Sequence, residues 1–518
     1  MPRIVLLVAA LGAGVSAARC TTRTVVSRAP ALVAELHAAD ALARRGCYLC
    51  LREAFAVYER LSADPATAPA ATSRAFRTAL LLAVRERALG VPGDAFLTRA
   101  RQILARTPAA GDDRAALVEL ADLVAWNARG VPKETLEAFR GGRQKAWEPP
   151  ARAALDALRP RAVSDELAAH LLLVIACDYR HALRDIDPAA IAALHPASPL
   201  LRFAFGLCAG ADPAPLETLL RDEPRFHEVN YFLALQAIGE RRLAAAERLL
   251  LDALDHIPAF SAAALSLGEI ALALEEPERA LSFFDRTLEV APDHREALVG
   301  RAQAASLLRR HEKAVAAADR LIALGTWHLG PAYYWRAWNR FQLGQIEEAW
   351  GDIEWSRQYQ PTDADVHALR GLVAWRRGRP GEARASFMQA LAANPNLCDT
   401  AFSLGRLEAE TRRWEPSADA FVAAAGCYER TAAELRRRLQ EIDRFGLPDD
   451  RREALRARRE RQIDAARRQR ATAAYNAAAG YFNIGRLDEA ALHARTALAD
   501  ESMREQAERL LARIDEKR

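Results

Sequence analysis

The sequence predicts an all-α fold, a superhelix in which helix hairpins stack in a row, and three periodic features predict it. First, prolines recur at a fixed spacing: Pro258 and Pro292 are 34 residues apart, and so are Pro361 and Pro395. Thr326 occupies the position between these two pairs, with one extra residue before Pro361. Second, small residues recur at set distances from these positions. Third, large apolar residues do the same. Such a period is typical of repeat architectures.

Each unit contains small and large side chains in a fixed order. Twelve residues before each of these positions stands an alanine: Ala246, Ala280, Ala314, Ala349 and Ala383. Four residues later comes an apolar residue: Leu250, Phe284, Ala318, Ile353 and Phe387. Twelve residues before the alanines stand Ala234, Gly268, Ala302, Ala337 and Gly371. Small residues let two antiparallel helices approach closely, and the large residue fills the gap toward the next unit. Because one hairpin cannot bury its apolar face, units must stack.

Three stretches carry a resemblance to a known family: "SAAALSLGEIALALEEPERALSFFDRTLEVAPDH", "ADVHALRGLVAWRRGRPGEARASFMQALAANPNL" and "AAYNAAAGYFNIGRLDEAALHARTAL". They resemble the tetratricopeptide repeat family. The resemblance covers six tandem units over 226–430 and one more over 471–502. It implies a helical solenoid that binds protein or peptide partners, and it implies no chemistry.

The remaining segments are predicted from composition and helix signals. The region 19–225 is irregular but helical, and "HAADALARRGCYLCLREAFAVYERLSADP" within it looks like a degenerate repeat. Proline and glycine separate the predicted helices there. These helices are predicted at 72–89, 94–106, 112–128, 133–140, 151–158, 164–183 and 199–209. The final segment, 503–518, is predicted to be a helix that caps the last apolar face.

A polar insertion at 431–470 separates the sixth unit from the last one. Arginines outnumber acidic residues in it, and Leu435, Leu439 and Ile442 form a thin apolar stripe at helical spacing. Gly446 suits the end of one helix, and Pro448 suits the start of another. We expect a protruding antiparallel helical hairpin. It would be either a solvated connecting stalk or a docking arm for a partner or an anionic surface.

The first 18 residues have the pattern of a signal peptide, which predicts that the protein is exported. Arg3 precedes an apolar run that is too short to span a bilayer, and small residues follow, as in a secretory signal peptide. One alternative is an outer-membrane lipoprotein with a lipid anchor at Cys20, although Arg19 stands where the lipoprotein motif has a small residue. The other alternative is a buried N-terminal helix. No later segment is apolar enough to cross a membrane. The expected location is the periplasm or cell envelope of a bacterium, since arginine greatly exceeds lysine, as GC-rich coding favours.

Charge and motifs exclude several function classes. A net charge of +4 is too small for general nucleic-acid binding. Phosphate-binding loops, zinc-protease motifs and nucleophile elbows do not occur. Cys177 and His181 could form half of a metal site, but a core or disulfide role is favoured. We therefore expect no cofactor, no metal site and no catalytic residues.

Six cysteines remain when Cys20 is set aside, and an exported chain permits disulfides. Cys47 and Cys50 are predicted to form a structural disulfide; a redox-active pair and a metal half-site are the alternatives. Cys398 begins the first helix of its unit and Cys427 ends the second. These positions lie at the same end of an antiparallel hairpin, so a bond between them is predicted. A Cys177–Cys208 bond is also predicted.

A partner-binding groove is predicted on one strip. In the tetratricopeptide repeat family the first helix of each unit lines the inner groove, chiefly at its fifth, ninth and twelfth positions. At or beside these positions stand Tyr334, Trp338, Phe341, Trp375, Arg376, Phe402 and Arg406. Aromatic and arginine side chains are typical binding hot spots. The alternative is that the rings belong to the core, as we expect for Trp335, Trp350 and Trp355. The lysine and asparagine clamp for a chaperone tail is not matched.

These features predict an exported, non-catalytic scaffold for protein–protein interaction. A redox or chaperone-type envelope factor that uses Cys47 and Cys50 is the alternative from another class. A structural subunit of an envelope assembly, with the hairpin as its docking arm, is a third hypothesis.

Overall fold

The computed structural model describes residues 28–91, 93–106, 158–178, 187–209, 212–325 and 329–518, with positions 114, 117, 118, 121 and 156. The regular structure in these ranges is helical throughout. The predicted signal peptide, Cys20 and the predicted helix 133–140 lie outside the described residues. So do most of the predicted helices 112–128 and 151–158.

The N-terminal region contains helices of unequal length and a short 3-10 turn at Arg161–Val163. The helices are α1 (Arg28–Arg45), α2 (Tyr48–Leu61), α3 (Ala68–Ala88), α4 (Ala95–Arg106), α5 (Glu166–Asp178), α6 (Pro188–Ala192), α7 (Pro199–Ala209) and α8 (Ala214–Asp222). The short helices α6 and α8 were not predicted. Gly46 joins α1 to α2 with φ +70°, and a Cβ there would lie 3.1 Å from the backbone nitrogen of Leu200. Only glycine suits both constraints.

The repeat region alternates first and second helices of nearly constant length. They are α9 (Val229–Gly239), α10 (Leu243–His256), α11 (Ser261–Ala273), α12 (Pro277–Val290), α13 (Arg295–Leu307), α14 (His311–Ala323), α15 (Leu329–Gln342), α16 (Ile346–Tyr359), α17 (Ala364–Arg376), α18 (Pro380–Ala393) and α19 (Cys398–Glu410). Pro277 and Pro380 open their helices, where the missing N–H costs nothing. The Asp363 carboxylate caps α17 by accepting hydrogen bonds from the N–H groups of Asp365 and Val366.

One packing contact recurs through the repeats, between a phenylalanine of a second helix and glycines of first helices. A Cβ on Gly268 would lie 2.6 Å from the Phe284 ring, and one on Gly300 would lie 2.4 Å from it. Phe387 meets Gly371 in the same way, at 2.4 Å. The five periodic alanines are fully buried. The small-and-large order read from the sequence is therefore the order of the core contacts.

The turns inside the units share one backbone feature, a residue with positive φ that ends the first helix. These residues are Arg241, Glu275, Arg309, Gly344, Gly378, Arg412 and Gly485. A left-handed residue at this position lets the chain turn sharply into the second helix. Glycine adopts that conformation freely, whereas the arginines and Glu275 pay a steric cost at their β-carbons.

The C-terminal part begins with two long helices, α20 (Trp414–Gln440) and α21 (Asp449–Asn483), followed by α22 (Leu487–Ala497) and α23 (Glu501–Lys517). The first half of α20 completes the sixth unit, where the Ser417 hydroxyl donates to the Gly405 carbonyl at 2.8 Å. The last part of α21 pairs with α22 as the final unit. Leu510 and Ile514 of α23 cover that unit's apolar face, as predicted for a cap.

The far halves of α20 and α21 form the predicted antiparallel hairpin, but its tip does not protrude freely into solvent. Ile442 and Phe445 lie in the connecting turn, which is a 3-10 helix at Ile442–Phe445. With Leu455 they share one buried cluster with Leu243 and Leu274 of the first two repeat units. The expectation of a protruding hairpin is corrected: the tip packs on the chain's own repeats, because its apolar stripe finds a partner there.

Candidate functional site

The predicted groove residues lie on three consecutive first helices, α15, α17 and α19. We call them the aromatic strip: Tyr334, Trp338, Phe341, Trp375, Arg376, Phe402 and Arg406. The Arg376 guanidinium lies 5.6 Å from the centre of the Phe341 ring. The Arg406 guanidinium lies 5.2 Å from the centre of the Trp375 ring. Each arginine reaches back to an aromatic ring of the preceding unit, so cation–π contacts join the three helices.

The rings of the first unit in the strip are half-buried. Tyr334, Trp338 and Phe341 pack against a core that includes Ile353 and Val366. They remain partly exposed, so these rings belong partly to the core and also present apolar area at the surface. In contrast, Arg376 and Arg406 are exposed.

Two carboxylates act on Tyr334, one of the half-buried residues of the strip. Burial raises the pKa of the Tyr334 hydroxyl, and the carboxylates of Asp365 and Asp363 raise it further. Tyr334 is therefore a neutral hydrogen-bonding group over the whole working range of pH.

The strip ends in a cleft of about 470 Å³ between α19, α20 and α21. Its lining includes Phe402, Arg406, Glu410, Trp414, Asn476 and Asn483. The Trp375 Nε1–H donates to Glu410 at 3.0 Å, which ties the cleft to the strip. A Cβ on Gly480 would lie 3.0 Å from Ala418, so the absent side chain lets α21 approach α20 closely. In the described part of the chain, the side-chain amides of Asn476 and Asn483 have no hydrogen-bond partner.

Of the residues that line this cleft, sequence reasoning predicted Phe402 and Arg406, and it missed the others, including Glu410, Trp414, Asn476 and Asn483. A signal existed for the asparagines, because a spacing of seven places them on one face of a helix. The face of α21 that carries both asparagines meets Phe402 and Arg406 only because the last unit stacks on the sixth. The long insertion separates these two units in sequence, so the contact could not be predicted.

Trp335, Trp350 and Trp355 of the fourth unit were expected to belong to the core, and one of them does not. Trp355 is 49% exposed, so the expectation that it belongs to the core is wrong. Its ring stacks on Tyr333, with 6.0 Å between the ring centres. Trp335 and Trp350 are half-buried. The guanidinium of Arg377 lies 4.5 Å from the Trp350 ring centre.

The structure brings the three predicted cysteine pairs together. The Cα–Cα distance is 5.1 Å for Cys47 and Cys50 and 5.3 Å for each of the other two pairs, Cys177–Cys208 and Cys398–Cys427. Cys47 and Cys50 are fully buried in a cluster with Phe203 and Phe226. The Cys47 sulfur also accepts a hydrogen bond from the Cys50 N–H, so it caps α2. His181, the partner considered for Cys177 in a metal half-site, lies outside the described residues.

The hairpin tip is held by ion pairs as well as apolar contacts. Arg451 donates to Glu247 at 2.6 Å and to Glu276 at 2.8 Å. Arg459 pairs with Glu275 at 3.2 Å. Both acidic partners of Arg451 are largely buried. The hairpin therefore joins the C-terminal end of the row of units to its beginning.

Groups with metal-ligand chemistry come together at one place among the described residues, where His227, Asp252 and His256 meet. Sequence reasoning missed this group. Asp252 and His256 stand one turn apart on α10, which is a usable signal, but His227 belongs to the segment before α9.

Comparison with known proteins identifies the repeat. The family model described as "Tetratricopeptide repeat" matches residues 364–397, which are α17, α18 and the loop after them. Residues 364–397 therefore form a tetratricopeptide repeat. The family consists of scaffolds for protein–protein interaction. No curated protein matches the chain.

Several solved structures are similar to parts of this chain. One, a tetratricopeptide repeat protein from Parabacteroides merdae, is 18% identical, with a TM-score of 0.33 over 56% of this chain and 98% of that one. TTC0263 from Thermus thermophilus is 23% identical, with a TM-score of 0.30 over 39% and 98%. PilW, a type IV pilus biogenesis factor, is 17% identical, with a TM-score of 0.35 over 44% and 98%. These similarities concern local shape and say nothing about partners.

Within the described ranges, no helix combines the length and the apolar character that a membrane span requires.

Proposed function

We propose that this protein is an exported, non-catalytic scaffold that binds an extended segment of a partner protein along the aromatic strip and in the adjoining cleft. The observation that carries the proposal is the pair of unengaged amides, Asn476 and Asn483, facing Phe402, Arg406 and Trp414 across one cleft. The partner-binding role belongs to the repeat family. The location of the groove and export are our inferences.

The chemistry of the cleft suits an extended peptide. Every residue of such a peptide presents one backbone N–H and one C=O, and a side-chain amide can both donate to one and accept from the other. Trp414 and Phe402 offer apolar area for a partner side chain. Arg376 and Arg406 are exposed cations on one strip, so an acidic residue in the partner segment is favoured.

The redox alternative is less well supported. The Cys47–Cys50 pair is fully buried among phenylalanines, and disulfide exchange requires a thiolate to reach one of the sulfurs. A structural role at the start of α2 accounts for both cysteines. The hypothesis of a docking arm is likewise less well supported, because the hairpin tip contacts the chain's own first units.

Site-specific photo-crosslinking tests the groove. A photoreactive amino acid replaces Asn483, and a matched control replaces Leu492, which is 58% exposed on α22. In cells, adducts are expected from position 483 and not from position 492. Equal adducts from both positions would contradict the groove.

The partner's segment is then measured by fluorescence anisotropy. Arg406→Ala combined with Asn476→Ala should weaken its binding by about 2 kcal/mol, the scale of a hot spot. Both side chains lie outside the core, so the melting temperature should stay close to that of the native protein. If affinity is unchanged, the partner binds elsewhere.

Export has its own test. Replacing Leu6 and Leu7 with arginine interrupts the apolar run, so the full-length chain should accumulate in the cytoplasm. Fractionation and mass measurement of the mature N-terminus check this expectation. Radiolabelled palmitate on Cys20 would favour the lipoprotein alternative, and an intact native chain in the cytosol would end the export proposal.

A further inference from the structure

Three side chains with metal-ligand chemistry meet in the first repeat unit. His227 lies in the segment before α9, and Asp252 and His256 lie one turn apart on α10. One ligand atom from each residue falls within 4.8 Å of the other two. His227 is partly buried, whereas Asp252 and His256 are accessible to an ion from solvent.

The hydrogen bonds around the group indicate which atoms are free to bind a metal. The Nδ1–H of His256 donates to the backbone carbonyl of Asp252 at 2.9 Å. With the proton on Nδ1, the lone pair of His256 is on Nε2, where a metal can bind. The side-chain amide of Asn230 donates to a carboxylate oxygen of Asp252. Such contacts behind the ligands are typical of metal sites, because they orient histidine and carboxylate side chains.

The two histidine rings are already neighbours. They stack with their centres 3.4 Å apart and their planes inclined by 8°. An imidazole binds a metal in the plane of its ring, so the exposed His256 ring must turn out of this stack when both histidines bind one ion.

We propose that His227, Asp252 and His256 bind one Zn²⁺ ion, with water in the fourth position. In a tetrahedral site with bonds of about 2.1 Å, ligand atoms stand roughly 3.4 Å apart. The ligand atoms lie within 4.8 Å of one another, so binding requires an inward shift together with a turn of the His256 ring, and rotations of this exposed side chain can supply both. Two nitrogens and one carboxylate oxygen suit zinc better than calcium or magnesium, which take oxygen ligands.

The ion would join the segment before α9 to the last turn of α10. These parts border the first unit, where the irregular N-terminal region meets the tandem repeats. Zinc would therefore stabilise this junction, by a mechanism separate from partner binding in the cleft.

The test is calorimetric titration of the untagged, full-length protein with Zn²⁺ after metal removal. One zinc site with all three ligands is expected. His256→Gln and His227→Gln should each weaken that site about 100-fold or more, since even residues behind the ligands contribute 10- to 100-fold. Asn230→Ala should weaken it about tenfold.

The control is His294→Gln, because His294 also stands just before the first helix of a unit and lies outside the cluster. It should bind zinc as the native protein does. His256 is exposed, so His256→Gln should fold normally, which its melting curve without metal would show. Unchanged zinc affinity in His256→Gln, or no zinc bound by the native chain, would overturn the proposal.

Discussion

The N-terminal region and the tandem repeats are both built from packed helices, but different contacts hold them together. In the repeats one contact recurs, a phenylalanine against glycines, as at Phe284 with Gly268 and Gly300. The N-terminal region is joined to the first unit by contacts that occur once. The guanidinium of Arg85 forms a buried ion pair with Glu228 and lies 3.8 Å from the ring centre of Phe203.

The difference shows two ways of specifying a helical array. Apolar packing between residues of complementary size can be repeated, and each copy stabilises its own unit. A buried ion pair depends on every partner being present. Burial raises the pKa of Glu228 and lowers that of Arg85, while their mutual attraction opposes both changes. Such a pair costs much when one partner is lost.

The largest effect is expected from a substitution that disrupts the contact between the N-terminal region and the first repeat unit. Glu228→Ala would leave the Arg85 charge buried and the Tyr48 N–H without its acceptor, which lies at 2.7 Å. We expect a loss of about 3–5 kcal/mol in the free energy of unfolding, measured by urea denaturation. The control is the double variant Arg85→Met, Glu228→Met, which should recover most of the loss. A single variant as stable as the native protein would show that the ion pair is not what holds the junction.

The second effect compares the cysteine pairs of the two regions. Removing the Cys398–Cys427 link by Cys→Ala at both positions should lower the free energy of unfolding by about 3–4 kcal/mol, given their sequence separation of 29. Removing Cys177–Cys208, with a separation of 31, should have a similar effect. Non-reducing peptide mapping must first find both links. Unlinked Cys398 and Cys427 in native material would refute this prediction.

The third effect is a loss of stability at acidic pH that arises in the N-terminal region alone. His170 is buried, and burial together with Arg85 lowers its pKa to about 3. Because the folded pKa lies below the unfolded value, this histidine supports the fold above about pH 6.5. That contribution is lost as pH falls toward 3. Between pH 7 and 4.5 the loss is about 2–3 kcal/mol.

Urea denaturation at both pH values measures this acid effect. His170→Gln should remove that part of the pH dependence. An equal dependence in His170→Gln would assign the effect to other groups.

The smallest effect tests the contact between the ends of the row of units. Arg451→Met removes the donors to Glu247 and Glu276 while keeping an apolar stem, so we expect a loss of about 1–2 kcal/mol. Hydrogen exchange should rise in the hairpin tip and in the first two units. The control is Arg452→Met, whose partner Asp449 belongs to the hairpin itself. If both variants exchange alike, Arg451 does not hold the tip.

Much of the fold and part of the candidate site follow from local sequence signals. The spacing of Ala280, Phe284 and Pro292 reports the hairpin unit, because helix geometry and packing within one unit involve residues close in sequence. The Cys398–Cys427 pairing follows for the same reason, since both residues belong to one hairpin. The aromatic strip was predicted because the same positions of successive first helices face one side.

Only the tertiary structure decided which distant parts meet. The hairpin tip packs on the first two units, the last unit completes a cleft with Phe402 and Arg406, and His227 joins Asp252 and His256. Trp355 is exposed although its sequence neighbourhood is aromatic. The contact of the hairpin tip with the first two units depends on the small rotation between neighbouring units, which accumulates along the solenoid. Local patterns determine each unit, but that accumulated rotation determines which distant units come together.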